Sequence, residues 1–207
     1  MSTWSAARSE HARRRLIDAA GDVIAEQGWP SASVHYIGER AALSRGAVNY
    51  HFGTREQLLE AVLADLVERW QSEWRDGVAA EGGEGLAAEA DGAGQALGAV
   101  LDHYWAVVAG DPRGARLATM LLYESLGPSP QITEQARLAR RALVDAVAAQ
   151  LQQLKALGEI DADADCRAAA SLLVGTTAGL AADAGFGSAA AGGYEELRTA
   201  LLARLAA

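Results

Sequence analysis

A chain of 207 residues is long enough for one or two small domains with a buried core. Half of its residues are hydrophobic but only 6% are aromatic. Strong helix formers dominate and alternating β-branched runs are missing, which excludes a β-rich class and predicts an all-α fold. The net charge of −9 is uneven: residues 1–55 carry seven Arg against five acidic side chains, +2, whereas residues 56–207 carry −11.

In chain order, a first helix is expected from about Ser9 to Gln27, with Leu16, Ala19, Ala20, Val23 and Ile24 on one face and Gly28 as its stop. Ser33 is placed to cap a second, whose inward positions are Val34, Ile37 and Ala41. Ala42 and Leu43 form a tight connection, and Ser44 caps a short third helix, Arg45 to about Tyr50, with Ala47 and Val48 turned inward. Phe52 and Gly53 break the pattern. Thr54 and Gln57 spell a capping box for a fourth helix, whose stripe of Leu58, Leu59, Val62, Leu63 and Leu66 continues through Trp70 and Trp74 and fades near Gly77. The acidic, Gly-rich run from Glu81 to Gly94 predicts a loop. A fifth helix carries Leu97, Val100, Leu101, Tyr104, Trp105 and Val108. Asp111-Pro112 starts a sixth, with Leu117, Met120, Leu121 and Glu124, which Gly127 ends. Ser129-Pro130 starts a seventh through Val144, Val147, Leu151 and Leu154. An eighth is expected from about Asp163 to Ala184, then a small-residue loop over Gly185 to Gly193, and a ninth with Tyr194, Leu197, Leu201, Leu202 and Leu205. Helix, tight turn and short helix at 33–52 form the helix-turn-helix unit, whose second helix enters the DNA major groove.

Several classes find no support. Cys166 is the one cysteine, so no intrachain disulfide forms. The longest uncharged stretch, Ala168 to Ala182, is too short to span a bilayer. The N-terminal residues hold no apolar run of the signal-peptide kind, and a cytoplasmic location is expected. The run Asp161 to Cys166 imitates the start of a calcium loop, but Cys166 and Leu172 stand where that loop needs Gly and Glu; the acids are better read as helix caps. Four scattered histidines make no zinc or nucleophile constellation, and no cofactor is expected.

Gly28, Trp29, Ser33, Val34, Ile37, Ser44, Gly46, Val48, Tyr50, His51, Phe52, Arg55, Glu56 and Leu58 together resemble the DNA-binding domain of the TetR-type transcriptional regulators, over about Arg13 to Val62. Gly38, Ala42 and Arg55 depart from the family pattern, where Ala, Gly and Lys are usual. Ala42 matters most, because a left-handed turn position strains a residue with a Cβ. The resemblance implies about nine helices, with a three-helix DNA-binding domain at 1–53 and a helical ligand-binding and dimerisation domain at 54–207. It also implies no enzymatic activity.

The partners it implies are double-stranded DNA carrying a near-palindromic operator, a small-molecule effector and a second copy of the chain. Arg45, Ala47 and Asn49 are candidates for base edges, since Arg suits guanine and Asn suits adenine. Gly46 would allow a close backbone approach. Ser33, Ser44, Tyr50, His51 and Arg55 match positions that touch phosphate, although the two serines have alternative work as caps and His51 can pack under Phe52. Trp70, Trp74, Tyr104, Trp105, Met120 and Tyr123 are candidates for an effector site with aromatic walls, against the plain alternative of core. Asp102, His103 and Glu124 are candidate polar anchors or surface residues. The small residues Ala168, Ala169, Ala170, Gly175, Ala178 and Gly179, beside Leu172, Leu173 and Leu180, suit close pairing of the eighth and ninth helices with their copies across a two-fold axis. The expected function is a repressor released from its operator by a small molecule. The alternatives are a small-molecule binding protein or enzyme with a vestigial DNA module, and a DNA binder controlled by a protein partner.

Overall fold

The computed structural model describes residues 3–80, 95–124, 130–184 and 190–206. Among these it contains nine α-helices and one 3₁₀ turn. They are α1 (Thr3–Gln27), the turn Trp29–Ser31, α2 (Val34–Arg40), α3 (Arg45–Phe52), α4 (Arg55–Ala80), α5 (Gln95–Gly110), α6 (Pro112–Glu124), α7 (Pro130–Ala156), α8 (Cys166–Ala184) and α9 (Ala190–Leu205). The all-α expectation holds. The only β pairing among the described residues is an isolated antiparallel bridge between Ile160 and Ala206. No described helix is long and apolar enough to cross a membrane.

The chain divides into two compact units, residues 1–66 with 117–139 and residues 67–116 with 140–207. α4, α6 and α7 each contribute to both units. The expected loop at 81–94 and the signals at Gly127 and Ser129 lie outside the described residues.

In the first unit α1 packs on α2 and α3. Leu16, Ala20, Val23, Ile24, Ile37, Val48, Leu58, Leu59 and Val62 are buried, which matches the period-3.6 stripes of the sequence. Local chemistry sets the helix ends. Gly28 adopts φ 79° and ends α1 with its N–H on the Ile24 carbonyl at 2.9 Å. Ser33 Oγ accepts from the Tyr36 N–H at 3.2 Å. The capping box is formed: Gln57 N–H donates to Thr54 Oγ1, and Thr54 N–H to Gln57 Oε1, both at 3.1 Å. Ala42 sits at φ 49°, so the strain expected of that position is present.

In the second unit α8 packs on α9, and α5 on both. Trp70, Trp74, Leu97, Leu101, Tyr104, Val147, Leu151, Leu173, Thr177, Tyr194 and Leu201 are buried. Asp111 caps α6, accepting from the Gly114 N–H at 2.8 Å. Asp165 caps α8 through the Ala168 N–H at 2.9 Å, and Asp161 folds the turn before it through the Asp163 N–H at 2.7 Å. Lys155 donates to the Ala164 carbonyl at 2.8 Å and closes the α7–α8 connection.

Four boundaries differ from expectation. α1 begins at Thr3, not Ser9; α3 continues to Phe52; α8 begins at Cys166, after the acidic run that caps it; and Ala190–Gly193 form the first turn of α9, not a loop. Ser44 holds the N-cap position of α3 with extended backbone, but its side chain makes no capping hydrogen bond. The cap assigned to it from sequence is therefore corrected.

Candidate nucleic-acid interface

α3 has two unlike faces. Val48 and Phe52, one turn apart, are buried, while Gly46, Asn49 and Tyr50 are exposed and Ala47 and His51 are half-buried. Tyr50 is 80% exposed, an unusual setting for a large aromatic with no packing role of its own. Its ring meets the edge of His51 at 5.0 Å, and His51 leans on Phe52 at 6.3 Å. Arg13 of α1 also stacks on Phe52, its guanidinium carbon 5.4 Å from the ring centroid. Arg45 opens α3.

Gly46 is informative because nothing inside the chain requires it. A Cβ there would meet only Ser44 Oγ, at an ordinary 3.8 Å, and the backbone is not in the left-handed region. The space beside Gly46 is open. Ser44, freed from capping, keeps its hydroxyl for other work. Ser33 accepts the Tyr36 N–H and still has a proton to donate.

Arg55 is placed differently from a free surface cation. Its guanidinium donates to the Trp29 carbonyl and lies 3.9 Å over the Trp29 ring. Burial lowers its pKa, and its Nε has no partner. Arg15 likewise donates to the Ala41 carbonyl, one residue before the strained turn. These two arginines hold the backbone around the helix-turn-helix, a role the sequence reading missed because the pairs are 26 residues apart.

The six aromatic and Met candidates are divided between the two units. Trp70, Trp74, Tyr104 and Trp105 belong to the second unit, Met120 and Tyr123 to the first. Trp70 Nε1 donates to Asp111 Oδ2 at 3.1 Å. Trp74 and Tyr104 meet edge to face with centroids 5.7 Å apart. Trp105 stacks on Tyr194 at 4.8 Å, a partner the sequence did not suggest. Met120 is half-buried, and Tyr123 is 70% exposed. Of the polar candidates, Asp102 accepts from the Tyr194 hydroxyl at 2.7 Å and pairs with Arg198 at 2.7 and 3.0 Å. His103 rests on Gly77, where a Cβ would fall 1.8 Å from its ring.

A buried α1, a capped α2, a tight turn and an α3 whose polar face is open define a helix-turn-helix domain of the DNA-binding class. The family model for bacterial regulatory proteins of the tetR family matches residues 16–62, so that segment is similar to a TetR-type DNA-binding domain. Among curated relatives, the uncharacterized HTH-type transcriptional regulator TtgW of Pseudomonas putida is 42% identical over 64 residues, 31% of this chain and 48% of the relative. SrpR, an HTH-type transcriptional regulator of Pseudomonas putida, is 42% identical over 64 residues, 31% of this chain and 30% of that one. The chain thus matches less than half the length of either. GusR of Salmonella enterica is similar along nearly the whole length, with a TM-score of 0.73 and 26% identity over 94% of this chain and 95% of that one. A putative TetR-family regulator from Rhodococcus shares the fold at a TM-score of 0.72, with 23% identity over 94% and 96% of the two chains. The named curated relatives are HTH-type transcriptional regulators.

Proposed function

We propose that the protein is a homodimeric repressor whose N-terminal domain, residues 1–53, reads one half of a near-palindromic operator, and whose C-terminal domain, residues 54–207, takes the effector and forms the dimer. The observation that carries this reading is the open face of α3, with Gly46 unneeded by packing and Asn49 and Tyr50 directed outward. In it, Arg45, Ala47 and Asn49 meet base edges, while Ser33, Ser44, Tyr50, His51 and Arg55 face phosphate. The +2 charge of residues 1–55 is small, so a dimer is needed to double the phosphate contacts.

The dimer is assigned to α8 and α9. Ala168, Leu172 and Gly175 are exposed on α8, Gly179 and Leu180 are half-buried, and none of the five is charged. The effector is assigned to Trp70, Trp74, Tyr104 and Trp105; Met120 and Tyr123, in the other unit, take no part in this reading. α4 is one continuous helix that begins at the capping box and carries Trp70 and Trp74, so an effector that displaces it re-aims α3. A coupling of about 1–3 kcal/mol suffices for release, and operator then weakens effector binding by the same factor.

Selection of bound fragments from a random DNA pool tests the reading. Enrichment of a near-palindrome is expected, and Arg45→Ala should cost about 1–3 kcal/mol on it and relax preference at one base pair per half-site. Equal losses on selected and random DNA would make Arg45 a phosphate contact; recovery of no common sequence would defeat the proposal.

A further inference from the structure

Two buried hydrogen-bonding atoms in the second unit have no partner: Trp74 Nε1 and Tyr104 Oη. Their residues are 5% and 3% exposed, on α4 and α5, and their rings are in edge-to-face contact. Buried donors are ordinarily paired, and this fold follows that rule one turn earlier, where the Trp70 indole donates to Asp111. Thr177 interacts with the Tyr104 hydroxyl, but its own proton goes to the Leu173 carbonyl at 2.7 Å, and the phenol proton is left without a well-formed hydrogen bond. An indole N–H can only donate, and a phenol donates readily. Two idle donors against each other's rings call for an acceptor.

We infer that the effector of the Trp74–Tyr104 site is an uncharged molecule with a hydrogen-bond-accepting oxygen on an apolar body, a neutral carbonyl compound being the simplest case. This rests on the effector-binding reading above. An anion is disfavoured because burial pushes the Tyr104 phenol up, which marks surroundings hostile to negative charge. The charge of Arg140 acts in the opposite sense, but burial is the larger effect on Tyr104. A carboxylate placed here would meet that same desolvation penalty. The aromatic edges and faces around the two donors suit an apolar body.

The test has two arms. The first is thermal unfolding of the ligand-free protein and of Tyr104→Phe, which keeps the ring. If the hydroxyl is idle, the variant melts at or above the parent, because an unpaired buried group has been removed. A clear fall in melting temperature would show the hydroxyl bonded within the chain and would overturn the inference. The second arm is calorimetric titration at millimolar concentration with three probes of one shape: acetophenone, ethylbenzene and benzoate. Acetophenone is expected to bind about tenfold more tightly than ethylbenzene, with benzoate weakest, and both Trp74→Phe and Tyr104→Phe should shrink that preference. Equal binding of ketone and hydrocarbon, preference for benzoate, or binding of none would overturn it. Operator binding is read separately. A protein that holds its operator without ketone preference fails this inference alone, and one with ketone preference but no operator fails the regulatory reading.

Discussion

Arg55 shows how a single side chain can be claimed by two tasks. The proposed function sets it against phosphate, yet the guanidinium is on the Trp29 carbonyl and ring. Arg55→Ala strips that carbonyl of its partner and should destabilise the DNA-free protein by about 1–3 kcal/mol, read as a lower urea midpoint. Lysine keeps the charge but neither the planar stack nor the fork, so Arg55→Lys should recover little of that loss. If Arg55 also meets phosphate, the alanine variant flattens the plot of log affinity against log salt by about one per lost contact. An unchanged slope would confine the residue to its structural role. Ala42, at φ 49°, makes the opposite prediction. Left-handed backbone strains a Cβ by about 1–2 kcal/mol, and glycine returns part of this as unfolded-state freedom. Ala42→Gly should therefore raise stability by about 0.5–1 kcal/mol. A lower midpoint would mean that the turn carries no strain.

At the scale of elements, helix ends do much of the organising, and Asp111 is the clearest. It caps α6 and also accepts from Trp70 Nε1 at 3.1 Å and Arg69 at 3.0 Å, so one carboxylate ties α4 to the start of α6. Burial pushes its pKa up, but the bonds from Gly114, Trp70 and Arg69 outweigh burial and hold it below the ordinary carboxylate value. A depressed folded pKa means stability present in full above the unfolded value of about 3.9 and lost as pH falls through the lower folded one. Asp111→Asn keeps a good cap but not the charge. It should lower the urea midpoint at pH 7 and erode less than the parent on acidification below about pH 4. Equal acid sensitivity in both proteins would acquit Asp111. The stripes and caps made most helices legible in the sequence, down to the capping box at Thr54 and the strained Ala42. What stayed hidden was long-range or locally weak. Trp70 and Asp111 are 41 residues apart. The start of α9 is Ala and Gly, which give no stripe; that turn is held by packing, with the Gly193 Cα so close to Leu180 that a Cβ would fall 2.7 Å from it. The α1 extension from Thr3 to Arg8 has no apolar residue larger than alanine apart from Trp4, so it too shows no stripe.

For the whole molecule, the proposed dimer makes the decisive quantity the number of phosphates that two copies would neutralise together. In the proposed dimer, Leu172, half exposed on α8 with Gly175 and Ala168 on the same face, is the position where an introduced charge would repel its copy. Leu172→Glu should shift the protein to monomer in sedimentation and weaken operator binding steeply. The monomer's salt slope should be about half that of the dimer, since each copy brings half the contacts. A variant that stays dimeric would move the interface elsewhere.

The one lysine in the sequence, Lys155, is tied to the Ala164 carbonyl in the unit that lacks the helix-turn-helix. Every strongly basic side chain of residues 1–55 is an arginine, charged at any physiological pH. Lysine acetylation, which neutralises DNA-facing charge elsewhere, has nothing to act on there. The positive charge of that region therefore escapes this form of enzymatic editing. In the laboratory, a reagent selective for lysine side chains would label Lys155 alone and leave the arginines of α1 to α4 untouched.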